Sequence, residues 1–344
     1  MLSRSEDCKP QEVANTLWAC ARMRNMDRPL IGMLSDIAVL KLSDFTTQNV
    51  SNVSWALARL NLRAAPQLDA LSNAAMDRIG DLSAQDLCST AWANATLETK
   101  NHDLMDAIAG AAMRKIPQCG PQGLANLAWA YATLLKYPAP LFGAIAAEAL
   151  VLLPRFAFKT QEQANLAWAV AKLQHVDRVL LDAVAAASTA KISVAQNQDI
   201  SSTTWSFAKL LYVHEPFLDA VVRAVVQRSA RFIPQEVSNL AWAFATMLRA
   251  PEPLVDALTA ASLAQISEWK PQECSNTSWA YAKWSIVHRP LFDAMAERSL
   301  DFISEYTTQE IVNTSWAYAQ VMIMHRPMMD ALSSRMQQRV GDFT

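Results

Sequence analysis

A compact chain of 344 residues, 52% hydrophobic and 18% charged, would divide into about two or three domains, a limit that a repeat array escapes because each repeat touches only its neighbours. Seven Gly and few β-branched residues favour helices over sheets, and no run of about 18 apolar residues is present to span a membrane. Five cysteines without a CxxC pair fit a reducing compartment, and a net charge of −2 excludes a strongly basic nucleic-acid binder.

From the N-terminus onward the chain repeats itself. Trp18, Trp55, Trp92, Trp129, Trp168, Trp205, Trp242, Trp279 and Trp316 are spaced by 37 residues, broken once by 39. Seven residues before each Trp stands a Gln, from Gln11 and Gln48 through Gln309. A fixed period of this size means stacked tandem units. The repeats begin near Lys9, Thr46, Ser83, Gly120, Lys159, Gln196, Ile233, Lys270 and Thr307. The two additional residues are expected in a turn within Ala147–Lys159. The pattern predicts an all-α, right-handed α-solenoid of nine two-helix repeats, a single array over 1–344. Its first and last repeats are incomplete, as in a fragment of a longer array.

Within each repeat the Trp-bearing helix comes first, with a predicted length of roughly 15 residues, for example Gln235 to Leu248. In the last repeat Thr307 and Glu310 form a capping box, and Pro10, Pro121, Pro234 and Pro271 suit the first helical position. Phe45, Leu82, Phe158, Phe232, Trp269 and Tyr306 precede the caps and pair with apolar residues such as Val50, Leu87, Val237 and Ile311 as hydrophobic staples. The partner helix is expected to start at Pro29, Pro66, Pro140, Pro216, Pro253, Pro290 and Pro327. Three or so residues on, Asp69, Asp106, Asp182, Asp219, Asp256, Asp293 and Asp330 suit the positive end of the helix dipole. His214, His288 and His325 share one position, so they mark a recurring turn rather than a metal centre.

At 100° per residue, four positions of the Trp helix fall on one stripe. They are the Gln, an Asn, the Trp and a basic or polar residue. The Asn is Asn15, Asn52, Asn126, Asn165, Asn239, Asn276 or Asn313, with Ser89 and Ser202 in two repeats. The last member is Arg22, Arg59, Lys172, Lys209 or Lys283, with Thr or Gln elsewhere. The Trp reads as an inter-repeat core, flanked by a strip of small residues such as Ala241 and Ala245; a stacking platform for nucleic acid is the alternative. For the Gln and Asn two readings stand: a polar ladder satisfying backbone groups between repeats, or amides facing a ligand. Seven acids sit at the third helical position (Glu12, Asp86, Glu162, Asp199, Glu236, Glu273 and Glu310), and seven Asp sit at the partner-helix starts. Setting these aside leaves 18 acids against 30 Lys and Arg, so a basic face is compatible with the near-neutral total.

The string Pro234-Gln-Glu-Val-Ser-Asn-Leu-Ala-Trp-Ala-Phe-Ala245, with residues 11–19 and 121–132, resembles the helical core of octotricopeptide repeats. The same repeats are similar to those of FAST-kinase-like and RAP-domain proteins. The resemblance implies an α-solenoid that binds single-stranded RNA in a mitochondrion or chloroplast and supports RNA processing, stability or translation. No targeting peptide is visible. Repeat proteins read about one base per unit, so nine units would cover roughly nine nucleotides.

Selectivity is expected at the fifth and sixth residues after the Gln: Thr16 and Leu17, Val53 and Ser54, Thr203 and Thr204, Leu240 and Ala241, Thr277 and Ser278. The five cations would meet phosphates, and Asn15, Asn52, Asn126, Asn165, Asn239, Asn276 and Asn313 complete the expected RNA-binding set. The chain is expected to act as a monomer with RNA and protein partners; a protein-interaction scaffold is the alternative function. No Gly-rich phosphate loop, HExxH or paired Cys/His set is present, so the expectation is no enzyme, no cofactor and no metal.

Overall fold

The computed structural model describes residues 8–24, 27–63, 65–99, 101–339 and 341. Those residues form eighteen α-helices and no strand. The Trp-bearing helices are α1 (Pro10–Met23), α3 (Thr47–Arg59), α5 (Ala84–Thr96), α7 (Pro121–Thr133), α9 (Thr160–Lys172), α11 (Asn197–Lys209), α13 (Pro234–Thr246), α15 (Pro271–Lys283) and α17 (Thr308–Gln320). Between them run the partner helices α2 (Arg28–Leu40), α4 (Ala65–Asp77), α6 (His102–Met113), α8 (Ala139–Leu152), α10 (Arg178–Ala190), α12 (Glu215–Arg228), α14 (Glu252–Gln265), α16 (Arg289–Leu300) and α18 (Arg326–Gln338). The chain folds as two compact units, Met1–Leu173 with α1 to α9 and Gln174–Thr344 with α10 to α18. Within each unit, successive Trp helices pack along their length, and successive partner helices meet over a shorter stretch. This is the stacked-hairpin arrangement of a solenoid.

Most Trp helices begin in the same way. Glu12, Glu162, Glu236, Glu273 and Glu310, and Asp86 in the third repeat, accept the backbone N–H three residues earlier at 2.7–3.1 Å. Thr307 completes a full capping box with Glu310, as Ser83 does with Asp86. The residues before the caps are buried: Phe45, Leu82, Phe158, Phe232, Trp269 and Tyr306, together with Val50, Leu87, Val237 and Ile311 five residues on in four of the repeats.

The Trp helices are shorter than expected: α13 has 13 residues and ends at Thr246. Two residues past the end of every Trp helix but the first, the backbone turns left-handed, at Asn61, Glu98, Leu135, Gln174, Leu211, Leu248, Ser285 and Met322; Arg24, one residue past α1, does the same. Their φ angles lie between 51° and 60°. A six-to-one hydrogen bond follows, for example from Arg249 N–H to the Phe244 carbonyl at 2.9 Å. This is the Schellman closure, usually made by Gly, and no Gly occupies it here.

The partner helices differ from expectation in two details. Each of the prolines sits at the second helical position, because the residue before it is already helical, as in α12 with Glu215 and Pro216. Asp106 and Asp182 therefore lie at the fifth position, beyond the first turn, and work between repeats instead. Asp106 pairs with Lys136 at 2.8 Å, and Asp182 accepts the Tyr212 hydroxyl. The helix N-termini are held by the preceding residue: Asp27, Asn101 and Asp177 through a carbonyl or carboxylate oxygen, and His214, His288 and His325 through Nδ1, at 3.0–3.4 Å. The recurring histidines are thus helix caps.

A feature the sequence pattern did not disclose ties each repeat to the one before it. Near the end of a partner helix a long polar side chain donates to the carbonyl of the preceding repeat's last residue. Lys41 reaches Cys8 at 2.7 Å, Arg228 reaches Ala195 at 3.0 Å, Gln265 reaches Phe232 at 2.9 Å, Arg298 reaches Trp269 at 2.9 Å and Arg339 reaches Tyr306 at 3.0 Å. Arg78 and Lys115 do the same toward Phe45 and Leu82. The two additional residues of the fourth repeat are Phe156 and Ala157, inserted between the 3-10 turn at Leu153–Arg155 and the buried Phe158.

Candidate nucleic-acid interface

The nine tryptophans do not form a buried core. Those within each unit are partly exposed, and Trp18 and Trp316 reach 42% and 41%. Their faces cover one another instead. In Met1–Leu173 the ring centroids of Trp18, Trp55, Trp92, Trp129 and Trp168 follow at 6.2–6.4 Å; in Gln174–Thr344 those of Trp205, Trp242, Trp279 and Trp316 follow at 6.1–6.4 Å. The planes tilt by 28–37°, within the range in which aromatic pairs attract. The physical reason is register: a 37-residue period returns the indole to one azimuth, so ring meets ring, and the edges stay at the surface. The true inter-repeat core lies on the other side of the same helices, at Tyr131, Phe207, Phe244, Tyr281 and Tyr318 with Ala241 and Ala245. Burial pushes the Tyr281 phenol up to about 12 and raises Tyr318 further.

The rest of the stripe flanks this ladder. All nine Gln are exposed, and the Asn are exposed (Asn15) or half-buried (Asn52, Asn126, Asn165, Asn239, Asn276, Asn313). Arg22, Arg59, Lys172, Lys209 and Lys283 are exposed, and Arg22 lies over the Trp18 ring at 5.7 Å. Gln309 donates to Asn313 at 3.5 Å, along the stripe and not toward a neighbouring repeat's backbone. Bonds between repeats are made instead by the partner-helix side chains described above and, on the Trp helices, by residues off the stripe such as Ser51, whose hydroxyl donates to Asp86 at 2.7 Å. That also changes the charge argument: Lys41, Arg78, Lys115, Arg228, Arg298 and Arg339 are committed to carbonyls away from the stripe.

In Met1–Leu173 the stripe borders two cavities. One of about 450 Å³ is lined by Trp18, Arg22, Asn52, Trp55, Gln85, Ser89, Gln122 and Asn126, among others. The second, about 520 Å³, is lined by Arg22, Arg59, Trp55 and Trp92 together with Gln122, Asn126, Lys159, Gln161 and Asn165. One cavity that touches both α1 and α9 requires the row of Trp helices to curve around it. In this unit the Trp helices therefore line the concave side, a point the sequence left open. Cys88 and Cys119 sit in the same wall with sulfurs 3.8 Å apart; their hydrogen bond lowers the Cys119 thiol and, with burial, raises that of Cys88.

The residues expected to confer selectivity lie elsewhere. Leu17, Val53, Ser54, Thr203, Thr204, Leu240, Ala241, Thr277 and Ser278 are buried. At five and six residues past the Gln they point about 140° and 120° away from the stripe, into the stack. Thr16 alone is exposed, and its hydroxyl donates to the Glu12 carbonyl at 2.7 Å. Along the groove the Gln, Trp and most Asn repeat from unit to unit, whereas the residue before the helix and the residue eleven after the Gln vary.

Among known families, the one described as RNA-editing substrate-binding complex 6 protein matches residues 1–216 and, a second time, residues 140–341. No curated protein matches significantly. Among solved structures, the chain is similar to a "Homology model of the full-length AP-3 complex in an intermediate open conformation", at 9% identity and a TM-score of 0.34. The match covers 92% of this chain and 63% of that one, so the chain spans less than two thirds of that protein.

Proposed function

The chain belongs to the RNA-editing substrate-binding complex 6 protein family, and from that premise we propose that it binds single-stranded RNA along the Trp-helix stripe, as a binding protein and not an enzyme. The observation that carries this reading is the exposed row of amides and cations beside a ladder of indole edges, bordering an open groove. Amide groups pair with base edges, cations with phosphates, and indole edges contribute apolar and N–H contacts. A single strand suits the groove because its bases are free to splay against side chains. Location in a mitochondrion or chloroplast, and a role in RNA processing, stability or translation, rest on the octotricopeptide-repeat resemblance.

Equilibrium binding of a fluorescent single-stranded RNA at increasing salt tests the proposal. With all five stripe cations on phosphates, the log–log slope is about −3.5. A slope near zero, or equal affinity for a duplex, overturns it.

A second reading is favoured by a different surface. The left-handed turns of Gln174–Thr344 expose Leu211, Val213, Leu248, Val287, Met322 and Met324. An apolar edge of this kind suits a protein partner, so the chain would hold RNA on one side and protein on another within a complex. Partners recovered unchanged after ribonuclease treatment would support docking there.

A further inference from the structure

We infer that base preference in each repeat is set by two residues at opposite ends of the Trp helix: the residue that precedes it, at the N-cap, and the residue eleven after the Gln. This rests on the RNA-binding reading above and deepens it. Gln and Trp stand in every repeat and Asn in seven of nine, so their contacts are nearly the same in each unit and carry little sequence information. The fifth and sixth positions after the Gln are buried. The two positions named here vary between repeats and reach the groove from the two ends of the helix. Gly120 and Lys159 line its cavities from the N-terminal end, and Arg22 and Arg59 line them from the other.

Capping chemistry supplies an independent sign. Ser, Thr, Asp and Asn are the residues that hold a helix N-terminus. Among the partner helices Asp27, Asn101, Asp177, His214, His288 and His325 make such a bond, while Pro138 and Pro251 do not. The Trp helices forgo capping residues in six repeats, where Lys9, Gly120, Lys159, Gln196, Ile233 and Lys270 make no side-chain cap bond. Within the Trp row itself the rule is kept at Thr46, Ser83 and Thr307 and broken in the other six repeats, and a local rule set aside at one recurring position marks a different constraint. The substitutes differ in what separates one base from another: a cation, an amide, an aliphatic group or no side chain at all. The far end alternates similarly. Thr246 turns its hydroxyl back to the Trp242 carbonyl at 2.8 Å and presents a methyl group, whereas Lys283 extends an exposed ammonium.

Repeats seven and eight are adjacent in one unit and differ at both positions, Ile233 with Thr246 against Lys270 with Lys283. The experiment is selection of bound RNA from a random pool with the full chain, with Ile233→Lys/Thr246→Lys, and with the reciprocal Lys270→Ile/Lys283→Thr. Each change uses residues already present at that position in a neighbouring repeat, and thermal melting of each variant checks folding. The expected result is a motif that changes at one nucleotide per variant, by about tenfold in preference, so that two neighbouring positions now select the same base. A wild-type motif that both variants leave intact overturns the inference and spares the function. So does RNA bound without any motif. Absence of RNA binding by the wild-type chain removes the function and the inference together.

Discussion

The two rows of helices obey different rules. The Trp helices are nearly identical in length, eight of 13 residues and one of 14, and start and stop in one register. The partner helices run from 12 to 14 residues and are capped by Asp, Asn, His or nothing. Yet the long side chains that bond the backbone carbonyls closing the preceding repeat come from the variable row. Uniformity in the Trp row follows from ring-on-ring packing, which fails if one repeat slips; the partner row needs only to present a long donor near its end. Stability and the candidate binding surface are therefore spread over different residues, and they are separable by mutation.

The largest expected contrast tests this on neighbouring elements. Phe292→Ala in α16, where the ring is fully buried against Tyr318, should cost about 3–5 kcal/mol. Trp279→Ala in α15 should cost roughly half as much, because part of the indole is already in water. Urea midpoints of the two variants measure the gap, and equal losses would mean that the ladder is core after all. Next in size is Arg228→Ala, which frees the Ala195 and Ile192 carbonyls and should cost about 1.5–3 kcal/mol. Lys209→Ala on the stripe should leave stability within about 0.5 kcal/mol and flatten the RNA salt slope by about 0.7. If Lys209 moves the melting curve and Arg228 does not, the division between rows is reversed. The smallest effect is a gain. Leu248→Gly relieves a left-handed residue whose side chain is largely exposed, and should stabilise by about 1 kcal/mol or less, read by thermal melting.

Much of the architecture was legible in the sequence because it is periodic. The Trp and Gln intervals placed the helices, the Glu at the third position announced the caps, and the single interval of 39 located the insertion now seen at Phe156 and Ala157. Helical periodicity tells which residues share a face, but not which face a neighbour covers. For that reason the tryptophans read as core and Thr203 or Leu240 as surface, when the stack covers the opposite side. The left-handed turns escaped notice because no Gly announces them. The carbonyl-binding cations escaped because Lys41, Arg78, Lys115 and Arg228 do share the 37-residue period, but were weighed as surface charge.

The cation-to-carbonyl links also give the array a direction. Arg228 closes the turn ending at Ala195, Arg298 the turn ending at Trp269, and Arg339 the turn ending at Tyr306, always toward the earlier hairpin. During synthesis each newly finished hairpin would latch the one already made, so order can advance behind the ribosome without waiting for the far end. The two ends differ when they loosen: shedding the last hairpin frees the carbonyl that closes its predecessor, while shedding the first leaves a long side chain of the next hairpin without that acceptor.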